Sequence, residues 1–245
     1  IGMLFPWFPD KEYRDVMVNT VAPVWDGNET WLVLGGAGLM AAFPLAYALV
    51  LTALYLPLML MLVGLIFRGV AFEFRSRTPD GERRIWDASF ALGSFAAAFF
   101  QGVTLGAFLD GIRMRDGHFT GGALDWLAPF PLFTGLGLVV AYMLLGSTWL
   151  IMKTDGWLQH EMRKRTRHWV WALLAVIVVI SIWTPLAHPQ IAARWFTLPN
   201  LLYLAPVPVL VAVVMYFLLR ALRHGAEVAP FLLTLALVFL GYSGL

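Results

Sequence analysis

Trp25-Asp26-Gly27-Asn28-Glu29-Thr30-Trp31 stands directly in front of a run, Thr30 to Phe67, that holds 38 residues and not one Asp, Glu, Lys or Arg. About 20 apolar residues span a bilayer as an α-helix, so this run supplies most of two spans joined near Pro44. Carboxylates beside hydrocarbon are costly and are seldom idle, which makes the acidic string at its edge the first candidate for function.

Composition extends the reading to the whole chain. Hydrophobic residues make up 60% of the 245 positions and charged residues 13%, against about 25% charged in an ordinary soluble protein. The chain is read as one all-α, polytopic transmembrane domain over 1–245, partial at both ends. It opens on Ile1-Gly2-Met3-Leu4-Phe5 and stops inside an apolar segment at Gly241-Tyr242-Ser243-Gly244-Leu245, like the middle of a longer protein. There is no cysteine, which excludes disulfides, Cys-ligated zinc and iron–sulfur clusters. A net charge of +2, with the basic residues set between apolar segments, suits membrane topology rather than nucleic-acid binding.

Charge-free windows predict seven spans, at about 17–43, 46–68, 88–109, 128–152, 168–187, 199–219 and 228–245. Pro206 and Pro208 predict a kink near the start of the sixth. With seven alternating spans, 14 of the 17 Lys and Arg fall on one side, and only Arg113, Arg115 and Arg194 on the other. The positive-inside rule then makes the first side cytoplasmic. Merging the first two spans weakens the split to 12 against 5, so the count favours two helices and a tight turn at Pro44. No connecting loop exceeds about twenty residues, too little for a soluble domain. Any chemistry belongs within the bilayer, at its edges or on a partner.

The candidate site residues each have a plain reading beside the functional one. On a continuous helix, Asp26 and Glu29 are three apart and share a face, and a desolvated acidic pair can pass protons. The same Asp-x-x-Glu is also a helix start, with Asp26 as N-cap and Glu29 answering it. Arg68 follows Phe67 without a polar buffer; it either snorkels to the interface or pairs with an acid on a neighbouring helix. Glu73 is placed to pair with Arg77 one turn on, or to join Arg68 and Arg75 in a charged site. Gly35, Gly36 and Gly38 read as a close-packing surface, or as a channel wall. Most tryptophans suit an aromatic belt; Trp25 and Trp31, flanking the acids, are harder to dismiss. None of the five histidines falls mid-span: His118 and His160 are read in loops, His168 and His188 at the two ends of the fifth span, and His224 in the last loop. A membrane haem usually needs an axial His from inside the bundle. No self-contained enzyme motif appears.

The stretch Asn19-Thr20-Val21-Ala22-Pro23-Val24-Trp25-Asp26-Gly27-Asn28-Glu29-Thr30-Trp31, then Phe43-Pro44 and Phe67-Arg68-Gly69-Val70-Ala71-Phe72-Glu73-Phe74-Arg75, resembles subunit II of the cytochrome bd-type ubiquinol oxidases, including their cyanide-insensitive branch. The likeness is specific over about 1–90. Beyond that it rests on span order, Ile85-Trp86-Asp87, Gly93-Ser94 and Gln101-Gly102. It implies a nine-helix subunit of two four-helix bundles plus a peripheral helix, of which about seven spans are visible here. It also implies a heterodimer in the bacterial inner membrane that oxidises ubiquinol and reduces dioxygen to water. Haem b and haem d are then held by subunit I, with none bound through ligands of this chain. Besides subunit I, the implied partners are small single-helix subunits and the lipid bilayer. Residue by residue, Asp26 matches the family's acidic proton-path position and Trp31 a tryptophan at its oxygen route. Arg68 and Glu73 match an Arg and an acid after the next helix. The family's first helix, with its Asp-Gly-Phe-Asp signature, and its last helix have no counterpart in this sequence. The rival from another class is a secondary transporter or channel with an Asp26/Glu29 ion site.

Overall fold

Pro44 sets the first boundary. A residue before proline is pushed out of the α region, and Phe43 sits at φ −136°, ψ 62°, ending α2 (Trp25–Ala42). Pro44 then occupies the first turn of α3 (Pro44–Arg77), where its missing N–H is harmless. The two-helix reading of this region is what forms. A computed structural model describes residues 1–79, 81–115 and 118–243. The last predicted span is seen as α10 (Ala229–Ser243); its final residues, Gly244 and Leu245, lie outside the described residues.

The first predicted span is not continuous from residue 17. It divides into α1 (Lys11–Val21) and α2, with Pro23 in the turn between them. Proline cannot donate to the carbonyl four residues back, so the helix stops. Within α3, Leu54 departs from helical geometry at φ −117°, ψ 20°, three residues before Pro57. The Pro57 ring clashes with the turn before it and kinks the helix there.

Helices also run further into polar sequence than apolarity suggests. α4 begins at Arg83 and ends at Asp110. α6 spans Gly156–Ala187, twelve residues ahead of the predicted start at 168. His160 therefore lies on a helix and not in a loop, and His168 lies inside α6 rather than at its end. Glu, Gln, Met, Lys and Arg are good helix formers, and Arg165 pairs with Glu161 one turn back at 2.9 Å. Hydropathy marks where a helix is greasy, not where it begins. The Pro206 expectation is met as an interruption at Ala205, between α8 (Asn200–Leu204) and α9 (Pro206–Arg223).

Among the described residues, five helices are long and apolar enough to cross a membrane: α3, α4, α5 (Pro129–Lys153), α6 and the α8–α9 pair. α10 is apolar but shorter. α2 has 18 residues, but Asp26, Asn28 and Glu29 stand in its first turns. The chain is an all-α, multi-pass membrane protein.

It forms two compact units, residues 1–139 and 140–245, the division falling within α5. In the first, glycines bring helices together. A Cβ on Gly64 would lie 2.7 Å from the Ala97 nitrogen, and one on Gly93 would lie 2.8 Å from both the Gly64 oxygen and the Arg68 nitrogen. Gly102 meets Gly135 and Gly106 meets Pro131 in the same way, at 2.8 and 2.6 Å. Absent side chains let membrane backbones approach closely. The packing expected at Gly35, Gly36 and Gly38 does not occur among the described residues of this chain, where nothing lies within 4 Å of a Cβ added at any of them. α2 buries no residue against its neighbours. A two-stranded hairpin, β1 (Met114–Arg115) with β2 (His118–Phe119), follows α4.

In the second unit, α6 buries Leu158, Met162, Thr166, Val170 and Leu173. α9 buries Val211, Met215, Leu218 and Leu222. Spacings of three and four put each set on one helix face. Two short pieces, α7 (Pro189–Trp195) and α8, join α6 to α9.

Candidate functional site

The acidic string is helical from its first residue. α2 begins at Trp25 with Val24 as N-cap and no side-chain cap bond, so the capping-box alternative is not what forms. Asp26 and Glu29 share a face of the helix, one turn apart. Glu29 is taken up by α3: Arg68 donates to its Oε1 from Nη2 at 2.5 Å and from Nε at 3.2 Å. The two side chains are 25% and 30% exposed. Of the two readings of Arg68, pairing with an acid on a neighbouring helix is the one the structure contains.

Aromatic contact holds the pair in place. The Trp25 ring lies 4.9 Å from Phe72, which in turn lies 6.0 Å from Phe90 on α4. Gly69 passes beneath Trp25, where an added Cβ would be 3.7 Å from the indole. Trp25 therefore seats the start of α2 on the turn of α3 that carries Arg68. Trp31 makes no such anchor and is 71% exposed. Asp26 is also exposed, so the buried acidic pair of the sequence reading is corrected: only Glu29 is partly enclosed.

Glu73 does not join them. Five residues beyond Arg68, it is turned about 140° around the helix and makes an exposed pair with Arg77 at 3.7 Å. The structure thus brings Trp25, Glu29 and Arg68 together, places Asp26 one turn away, and leaves Trp31 and Glu73 outside.

A second charged group lies in the same unit, and sequence reasoning missed it. Asp87 of α4 accepts from Arg75 Nε at 2.6 Å on one oxygen and from Arg14 Nη1 at 2.7 Å on the other. Arg75 reaches Asp15 Oδ1 at 2.6 Å, and Arg83 approaches Asp15 Oδ2 at 3.6 Å. Arg14 also donates to the carbonyls of Phe8 and Phe5. The Phe5 ring centroid lies 5.6 Å from each of the guanidinium carbons of Arg14 and Arg75, within cation–π range. Arg75 is only 5% exposed. The signals were present: Arg75 and Asp87 both fall in motif stretches already singled out, but nothing in their spacing says that they meet.

Comparison with known proteins decides what kind of chain carries this arrangement. The family model for cytochrome bd terminal oxidase subunit II matches residues 1–245. The chain belongs to that family. Cytochrome bd-I ubiquinol oxidase subunit 2 of Escherichia coli is 36% identical over 175 residues, covering 68% of this chain and 45% of that protein. A probable cytochrome oxidase subunit 2 of Haemophilus influenzae is 32% identical over 190 residues, 75% of this chain and 50% of its own. Cytochrome bd ubiquinol oxidase subunit 2 of Bacillus subtilis is 31% identical over 167 residues, 67% and 49%. The chain spans about half the length of the curated relatives it matches.

Haem is the group that a bd-type family brings into question. His160 and His168 lie in the polar first half of α6, His188 at its end and His224 at the end of α9. Among the described residues no three His, Cys, Asp or Glu side chains cluster as a metal-binding group.

Proposed function

We propose that this subunit II chain is the non-haem membrane subunit of a bd-type quinol:oxygen oxidoreductase. In this reading it supports a haem-bearing subunit I and contributes to the access of protons and oxygen. The complex takes ubiquinol as substrate and sits in the bacterial inner membrane, with haem b and haem d on subunit I. Small single-helix subunits are further candidate partners.

The observation that supports it best is the Glu29–Arg68 pair beneath Asp26. Asp26 is an exposed carboxyl in the first turn of α2. One turn along, Glu29 is held by a guanidinium donating two hydrogen bonds to one oxygen. Such charge-assisted contacts fix geometry as well as charge, and a polar wall of this kind is what a proton needs at the edge of hydrocarbon. Trp31 and the open glycine face of α2 offer an apolar surface for the partner or for oxygen. The transporter alternative fares worse: an ion site built from Asp26 and Glu29 has one of its two carboxylates already engaged by Arg68.

The test is Asp26→Asn in the assembled complex. Oxygen consumption driven by quinol should fall while the visible haem spectrum stays unchanged. Full turnover in that variant removes Asp26 from proton delivery. Solute uptake driven by this chain alone, with no haem-bearing companion, would favour the transporter.

A further inference from the structure

A cavity of about 570 Å³ opens between α9 and α10 in the second unit. That is within the range of about 300–1,000 Å³ usual for small-ligand sites. Phe217 and Ala221 of α9 form one wall, Leu232 and Leu233 of α10 the other. Two polar side chains stand at it, the Arg220 guanidinium on the last turn of α9 and the His224 imidazole at its C-cap, both exposed. Among the described residues, no carboxylate lines it.

Cations at a helix C-terminus are common, since they complement the helix dipole. Arg220 differs from its neighbour Arg223 in lining an apolar cavity. The loop beyond is shaped: Gly225 takes a positive φ of 77°, and Arg163 of α6 donates to the carbonyls of Gly225 at 2.9 Å and Ala226 at 2.7 Å. This end of α9 also lies on the cation-rich side that the charge count assigns to the cytoplasm. A slot with a guanidinium at its mouth and apolar walls is complementary to one class of molecule. Basic pockets between spans on that side suit anionic lipid headgroups.

We propose that the α9–α10 cavity holds an anionic glycerophospholipid from the bilayer. Its phosphate sits against Arg220 and His224, and its acyl chains run along Phe217, Leu232 and Leu233. A neutral quinone head would leave the Arg220 guanidinium without a counter-charge, and a zwitterionic lipid would bring its own cation to it.

The test uses the protein purified with its accompanying subunits in mild detergent, washed with micelles carrying phosphatidylglycerol or phosphatidylcholine. Retained lipid per protein is measured by mass spectrometry. Wild type should keep phosphatidylglycerol in preference. Arg220→Gln should lower retention about fivefold, the equivalent of ~1 kcal/mol per basic residue at a membrane surface. Leu232→Trp, which fills the cavity and leaves Arg220 and His224 in place, should lower it too. Arg223→Gln, outside the lining, should not. The proposal is overturned by equal retention in Arg220→Gln, by equal retention of phosphatidylcholine, or by wild type that keeps no anionic lipid. Displacement by inorganic phosphate alone would also overturn it, making the site one for a free anion.

Discussion

Asp87→Ala should be among the most damaging single substitutions in the first unit. The Asp87 carboxylate accepts from Arg75 at 2.6 Å and from Arg14 at 2.7 Å, and its side chain is 12% exposed. Hydrogen bonds to charged groups contribute about 1.5–3 kcal/mol each, so two give roughly 3–6 kcal/mol. Removing one partner of a buried ion pair independently points to about 3–5 kcal/mol. Asp15 remains on Arg75, which places the expected loss toward the lower end, ~3 kcal/mol. For a chain of this size that corresponds to a fall of roughly 6–12 °C in the unfolding midpoint. The assay is fluorescence-detected size exclusion after heating in detergent, with Glu73→Ala as the comparison, since its exposed pair with Arg77 is worth at most about 0.5 kcal/mol. Asp87→Asn, which keeps an acceptor, should fall between the two. A midpoint for Asp87→Ala within a degree of wild type would show that the cluster does not stabilise the unit and that the reasoning from its geometry is wrong.

Other outcomes follow from the same geometry. Gly64→Ala or Gly93→Ala should lower the folded yield, because the new methyl meets backbone at 2.7–2.9 Å and overpacking of this kind costs about 1–3 kcal/mol; Gly36→Ala, with nothing within 4 Å, should leave the yield of this chain unchanged. Glu29→Gln keeps a hydrogen bond to Arg68 but loses the charge, ~1 kcal/mol; quinol oxidase turnover should fall about fivefold if the pair sets proton delivery. Glu73→Ala should leave turnover near wild type, and an equal loss in both variants would refute the separation of their roles.

Much of the membrane architecture was legible one residue at a time. The charge-free run from Thr30 to Phe67, the break at Pro44 and the interruption before Pro206 are local facts. They depend on what a side chain does to its own backbone and to nearby hydrocarbon. The helix starts at Arg83 and Gly156 were missed because apolarity reports burial in lipid, while helix formation continues through Glu, Lys and Arg. The candidate site was half legible: Asp26, Glu29 and Arg68 were singled out, but pairing could not be chosen over snorkelling without the position of α2 on α3.

What the sequence determined by itself is therefore the set of greasy segments, their punctuation and the family they belong to. Tertiary structure alone decided which glycines touch and which charges meet. Gly64 and Gly93 are close contacts while Gly35, Gly36 and Gly38 are open, though all are glycines in apolar helices. Arg14, Asp15, Arg75, Arg83 and Asp87 converge only after the chain has turned back between α3 and α4. Backbone preference is written within a few residues, but a close approach or an ion pair depends on what another helix brings to the same place.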